Sequence, residues 1–136
     1  PQYPFGYCLS YTTFAYGAPR LSARSIEAGD SIVVTVDVTN TGPREGDEVV
    51  QLYVRDDVAS ITPAVRRLRG FRRITLRPGE TRTVSFTLHP RDLAFWNAAM
   101  RLVVEPGSFT VMVGGNSQDV QQVQFQVTGP VFELGP

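Results

Sequence analysis

The sequence predicts an all-β sandwich of about seven strands. Three observations carry this expectation. Apolar residues recur at every second position in several separate segments, the period of a half-buried strand. Runs of turn-forming residues separate those segments. No segment of convincing length shows the three-to-four spacing of an amphipathic helix.

From the N-terminus, Leu21 to Ser25 reads as a weak strand, closed by the turn Ala28-Gly29-Asp30. The clearest alternation follows, with Ile32, Val34, Val36 and Val38 on one face and Val33, Thr35, Asp37 and Thr39 on the other. Asn40-Thr41-Gly42-Pro43 is a run of turn formers that ends it. A second strand spans Glu48 to Val54, its Val50, Leu52 and Val54 facing the core and Val49, Gln51 and Tyr53 lying opposite. Asp56 to Val65 reads as a long connection, and Leu68 to Leu76 as another weak strand. Pro78-Gly79-Glu80 turns the chain into Thr81 to Leu88, where Val84, Phe86 and Leu88 alternate with Thr83, Ser85 and Thr87. Arg91 to Ala99 holds at most a short helical turn, and Met100 to Val104 a weak strand. After Glu105-Pro106-Gly107, the alternation returns in Phe109, Val111 and Val113, and past Gly114-Gly115-Asn116 in Val123, Phe125 and Val127. The count approaches the seven strands of an immunoglobulin-type sandwich.

At 136 residues and 15.0 kDa the chain fits one domain. A formal charge of zero gives no long-range field to draw it onto nucleic acid or an anionic membrane, so neither is expected as a partner. All 13 basic residues are Arg, from which no site follows. Cys8 is the sole cysteine, which excludes an internal disulfide and, with no histidine near it, a metal centre; packing must hold the fold. No run approaches the ~20 apolar residues that cross a bilayer, and Pro1-Gln2-Tyr3-Pro4 lacks the regions of a signal peptide. The chain reads as a mature protein or as a piece cut from a longer one.

No catalytic constellation is expected. Glycoside hydrolysis needs two carboxylates about 5 to 9.5 Å apart across a sugar. Asp56-Asp57 and Asp47-Glu48 are sequence neighbours whose side chains diverge on an extended chain, and they read as solvated loop charge. His89, beside Pro90 at a strand end, reads as a turn or surface histidine. Gly114-Gly115 precedes a strand and reads as a hairpin turn, without the helix N-terminus of a phosphate loop. Arg66, Arg67, Arg69, Arg72, Arg73 and Arg77 read as a solvated strand face balanced by Glu45, Asp47 and Glu48, ahead of contact with an acidic partner. Trp96 is expected in the core slightly ahead of a role as an exposed binding ring, and Tyr53 is the second candidate for ligand contact. The aromatic opening, Tyr3, Phe5, Tyr7, Tyr11, Phe14 and Tyr16, exceeds what one strand buries under its own sandwich, and is expected to lie against a neighbouring domain.

The ordered segments carry a resemblance. Pro4 to Thr12 (PFGYCLSYT) is similar to the PFGxGLSYT linker that leads into the fibronectin type III-like domain closing many family 3 glycoside hydrolases. VDVTNTG from Val36, GDEVVQLYV from Gly46, LRGFRRI from Leu68, LRPGET from Leu76, DLAFW from Asp92 and VEPGSFTVMVGGN from Val104 resemble that domain in order. The likeness implies a non-catalytic accessory domain of a β-glucosidase or β-xylosidase type enzyme, docked on its catalytic domains and stabilising them. It implies no catalytic residue, metal or cofactor here. It assigns interdomain contact to Phe5, Gly6, Tyr7, Leu9, Ser10 and Tyr11, and divides the chain into a linker segment at 1–18, the sandwich at 19–128 and a tail at 129–136. Cys8 stands where the motif has Gly, and Thr62-Pro63-Ala64-Val65 departs from its usual Arg-Pro-Val run. A plant polysaccharide or lignin is the alternative partner, and an extracellular or periplasmic setting is favoured for the parent enzyme over a cytoplasmic one.

Overall fold

The computed structural model describes residues 12–58 and 65–135. In chain order its strands are β1 (Phe14–Tyr16), β2 (Arg20–Leu21), β3 (Ser25–Glu27), β4 (Ile32–Asn40), β5 (Gly46–Asp56), β6 (Arg66–Leu76) and β7 (Thr81–Leu88). A helical turn, α1 (Pro90–Leu93), precedes β8 (Phe95–Trp96), β9 (Leu102–Val104), β10 (Gly107–Gly114), β11 (Val120–Thr128) and β12 (Phe132–Glu133). The six strands of eight to eleven residues, with β1 and β2 as one interrupted strand, supply the seven of the expected sandwich.

One sheet is organised on β4. Its Ile32, Val34, Val36 and Val38 are buried, as period two requires. β7 pairs antiparallel along one edge of β4, from Ile32 opposite Leu88 to Thr39 opposite Thr81, so β1 and β2 share the other edge. The facing sheet runs β3-β11-β10-β5-β6, antiparallel throughout except where β3 meets β11. Its inward residues, including Val50, Leu52, Val111, Val113 and the stacked pair Phe109 and Phe125 at 5.5 Å, close the core against β4 and β7. Burying a single such side chain contributes about 1.5–3 kcal/mol, so this interleaved layer dominates stability.

Several expectations need correction. Leu21 to Ser25 is no strand: Ser22 bonds Val33 twice, through its N–H to the carbonyl and through Oγ from the N–H, and the chain crosses there from one sheet to the other. Met100 lies in a turn before β9, not in the strand. Phe14 and Tyr16 belong to the sandwich itself, half-buried against its core in β1. Residues 132–133, in the segment divided off as a tail, pair with β9, and with β8 make a small third sheet.

β6 shows why its pattern reads weakly. It is the last strand of its sheet, and its pairing with β5 slips by one residue, leaving Arg69 as the extra residue of a bulge between Leu68 opposite Tyr53 and Gly70 opposite Leu52. Gly70 is required because the Phe86 ring lies 3.0 Å from where a Cβ would stand. Along the first part of β6 the inward positions carry Arg67 and Arg72 rather than aliphatic residues, and the Arg72 guanidinium covers the Phe86 ring of β7 at 5.3 Å.

Candidate functional site

The two ends of the sandwich are built differently. At the end where β4 gives way to β5, Asn40 is fully buried, and its amide is satisfied on every side. Its Nδ2 donates to the carbonyls of Arg44 (2.7 Å) and Leu76 (2.9 Å); its Oδ1 accepts from Thr12 Oγ1 (2.7 Å) and the Gly42 N–H (2.9 Å). A Cβ at Gly42 would collide with Thr12, so the glycine is what lets the N-terminal segment lie there. Nearby, the Tyr16 hydroxyl donates to Glu48 Oε2 at 2.8 Å, linking β1 of one sheet to β5 of the other. Burial first, and then this bond, push the Tyr16 hydroxyl far above its ordinary titration range.

The opposite end holds a cavity of about 30 Å³ between the end of β5, the start of β6 and the α1–β8 segment. Asp56, Arg67, Arg69, Asp92 and Phe95 line it over a floor that includes Val54, Leu93 and Phe109. Asp56 projects inward because it extends the buried face of Val54, and its Oδ1 accepts from the Val58 N–H at 3.1 Å. Its Oδ2 is buried and has no hydrogen-bond partner among the described residues, and the same holds for Arg69 Nε on the bulge. Burial, with smaller contributions from the charges of Glu105 and Asp57, raises the Asp56 carboxyl above its usual range. Asp92 is spent partly on α1, where its Oδ2 accepts from the His89 N–H at 2.9 Å. A wide groove continues from Arg69 and Asp92 past His89 to Leu102, Phe132 and Leu134.

Asp56 and Asp57 are therefore not the solvated loop charges expected of them. Asp57 is only 17% exposed and accepts from Arg55 Nε (2.8 Å), Ser108 Oγ (2.9 Å) and Thr110 Oγ1 (2.9 Å), tying β5 to β10. Burial alone would raise its carboxyl, but these three donors outweigh it and hold the group below the ordinary value. The expected Arg balance is met only at Arg73, which pairs with Asp47 at 2.8 Å, while Glu48 serves Tyr16 instead. Arg66 lies over the Tyr53 ring at 5.4 Å. His89 caps α1 at the surface and meets Ser31 through Nδ1 at 3.0 Å.

Of the two candidate ligand-contact residues, Tyr53 is half-buried on the outer face of the five-stranded sheet, its hydroxyl bonded to Gln51 at 2.5 Å. Trp96 is not in the core. Successive residues of β8 point opposite ways, so Phe95 turns to the cavity and Trp96 outward, 59% exposed. The two rings sit on different sheets and form no common site. Phe5, Gly6, Tyr7, Leu9, Ser10 and Tyr11 lie outside the described residues. Sequence reasoning missed Asn40, read as a turn former, and Arg69, whose bulge leaves no periodic signal. Among the described residues no group of three His, Cys, Asp or Glu side chains could hold a metal ion, and no helix is long and apolar enough to cross a membrane.

Two sheets with interleaved apolar faces and an interrupted edge strand define an immunoglobulin-like sandwich. Residues 48–117 match the model of the fibronectin type III-like domain, and the chain belongs to that family, in the form carried by family 3 glycoside hydrolases. It is 53% identical over 129 residues to a β-xylosidase of Formosa agariphila, covering 93% of this chain and 18% of that protein. A periplasmic β-glucosidase of Salmonella typhimurium is 46% identical, with coverages of 93% and 17%. The solved β-glucosidase of Erythrobacter marinus superposes with a TM-score of 0.83 at 44% identity, over 93% of this chain and 17% of that one. The chain thus spans less than a fifth of the length of these relatives.

Proposed function

We propose that the chain is a non-catalytic accessory module of a β-glucosidase- or β-xylosidase-type enzyme, docking on the catalytic domains and stabilising their arrangement. The observation that carries this reading is the coverage: nearly all of the chain aligns, yet it accounts for only 17–18% of each such enzyme. Four carboxylates agree with it, since Asp57, Asp47, Asp37 and Glu80 are held below the ordinary carboxylate range by structural donors rather than poised for proton transfer, while Asp56 alone is raised, chiefly by burial. The linker residues Phe5, Gly6, Tyr7, Leu9, Ser10 and Tyr11 are proposed contacts in the same docking. An extracellular or periplasmic setting is the matching proposal, supported by the periplasmic relative.

The test removes the matching 17% from the Erythrobacter marinus enzyme and installs this chain in its place. Loss of thermal stability and turnover on removal, with recovery on replacement, is the expected result. An enzyme indifferent to the deletion, or hydrolysis of an aryl β-glucoside or β-xyloside by the isolated chain, would overturn the reading. The exposed Trp96 ring favours one second reading, a module that stacks on polysaccharide or lignin. No retention of the chain on cellulose, xylan or lignin removes it.

A further inference from the structure

We propose that the docking face of this module includes the open end of the sandwich, from the Asp56–Arg69 cavity across the 97–101 turn to β12. The occupant is the surface of the enzyme's catalytic domains, laid over the mouth of that cavity. The inference rests on the module reading above and adds to it which residues make the contact.

The first observation is where apolar surface collects. Among the described residues, six of the ten large hydrophobic side chains left exposed are Val58, Val65, Trp96, Met100, Val131 and Phe132, all on the segments that close this end. Of the other four, Val49, Leu68 and Phe71 lie on the outer face of β5–β6 and Val33 on the outer face of β4. Exposed apolar surface gathered in one region marks an interaction site more than isolated residues do.

The second observation is backbone conformation. Met100 has φ +61°, the left-handed region that a residue with a side chain enters at a cost, and it is 75% exposed. Gly or Asn would serve the turn better, since the Met100 side chain gains little contact within its own domain. Strain retained on an exposed apolar residue is explained when another surface covers it.

The third observation is the chemistry of the cavity. Asp56 Oδ2 can only accept once ionised, Arg69 Nε can only donate, and both are withdrawn from water without partners. Two Asp and two Arg side chains line the space, so it carries no net charge to select an ion. The other end is already filled by Thr12 and Asn40, whose polar atoms are mutually satisfied.

Hydroxyl-radical oxidation read by mass spectrometry tests the inference, because Trp and Met report their own exposure. The isolated chain is compared with the same chain installed in the Erythrobacter marinus enzyme. Trp96 and Met100 should be oxidised readily in the isolated chain and severalfold more slowly in the joined enzyme, while Phe71 on the outer sheet face changes little. A Trp96→Ser, Met100→Ser pair should lower the melting temperature of the joined enzyme and leave that of the isolated chain nearly unchanged. Protection of Phe71 and Leu68 instead would place docking on the sheet face and overturn the inference while sparing the module reading. Protection that grows with concentration in the isolated chain would make the occupant a second copy, which also overturns it. If no residue of the chain is protected on joining, the module reading falls with it.

Discussion

The two ends of this sandwich solve the same problem in opposite ways. Every sandwich must dispose of backbone and side-chain polar groups where its sheets stop, because a buried group without a partner costs about 1–3 kcal/mol. One end does so internally: the Asn40 side chain makes four hydrogen bonds to four different residues, and Thr12 folds over Gly42 to complete the set. The other leaves Asp56 Oδ2 and Arg69 Nε unanswered beside exposed Trp96, Met100 and Phe132. The contrast teaches that the same fold is finished where it closes on itself and unfinished where a partner is proposed to sit.

The largest expected effect is at the finished end. Asn40→Ala takes a donor from the Arg44 and Leu76 carbonyls and an acceptor from the Gly42 N–H at once, and should cost about 3 kcal/mol in urea unfolding of the isolated chain. Asn40→Asp should be nearly as damaging, because a carboxylate cannot donate to those carbonyls. A loss below about 1 kcal/mol would mean that water replaces the amide and that this end is not closed at all.

Next in size is Asp57, which bridges β5 and β10 close to the open end. Asp57→Ala should cost about 2 kcal/mol near neutral pH by removing three donors' common acceptor. The sign with pH follows from its lowered carboxyl. The stabilisation is fully present above the unfolded value near 3.8 and disappears as the pH falls through the lower folded value. The gap between wild type and variant should therefore narrow in acid. A gap that is constant with pH would assign the role to packing rather than to charge.

The sandwich was legible because its physics is periodic. Ile32 to Val38 and Val84 to Leu88 alternate and are buried on the expected face; Phe109, Val111 and Val113 are buried as expected, with Thr110 and Met112 between them buried too. What was illegible depends on where a strand lies, not on its own residues. β6 reads poorly because its inward positions include Arg67 and Arg72, and Arg72 over Phe86 of β7 does the work of an aliphatic side chain. Asn40 looked like turn chemistry because burial of an amide is decided by Arg44, Leu76 and Thr12, from 4 to 36 residues away. Asp56 and Asp57 were expected to diverge but both to be solvated, whereas one carboxylate enters a cavity and the other meets three donors, partners set by distant residues. Trp96 was expected in the core only slightly ahead of an exposed ring; the two-residue β8 turns Phe95 inward and leaves Trp96 out.

That divergence of neighbours yields a smaller, opposite prediction. Asp56 titrates above the ordinary 3.8, so its ionised form opposes folding, and the opposition sets in as the pH rises from that value through the raised one. Asp56→Asn keeps an oxygen for the Val58 N–H and sheds the charge. It should match wild type in acid and exceed it near neutrality by less than about 1 kcal/mol, the half-exposed position limiting the gain. Opposite pH slopes for the Asp56 and Asp57 variants, measured by thermal unfolding across the acid range, would sharpen the distinction between a satisfied and an unsatisfied carboxylate. Parallel slopes would erase it.

The smallest effect is the most discriminating, because its sign depends on context. In the turn that begins at Asn97, the Met100 N–H donates to the Asn97 carbonyl at 2.9 Å, and Asn97 Oδ1 accepts from the Ala99 and Arg101 N–H groups. Met100→Asn leaves all three bonds intact and relieves the left-handed strain, since Asn tolerates that region better than Met; the isolated chain should gain roughly 0.5–1 kcal/mol. In an enzyme docked through the open end, the same change removes buried apolar contact and should lower the melting temperature. Gain alone and loss when joined would mean that strain is held in one domain and repaid by another. A gain in both settings would mean that Met100 is simply a poor turn residue, and that this end of the sandwich faces water.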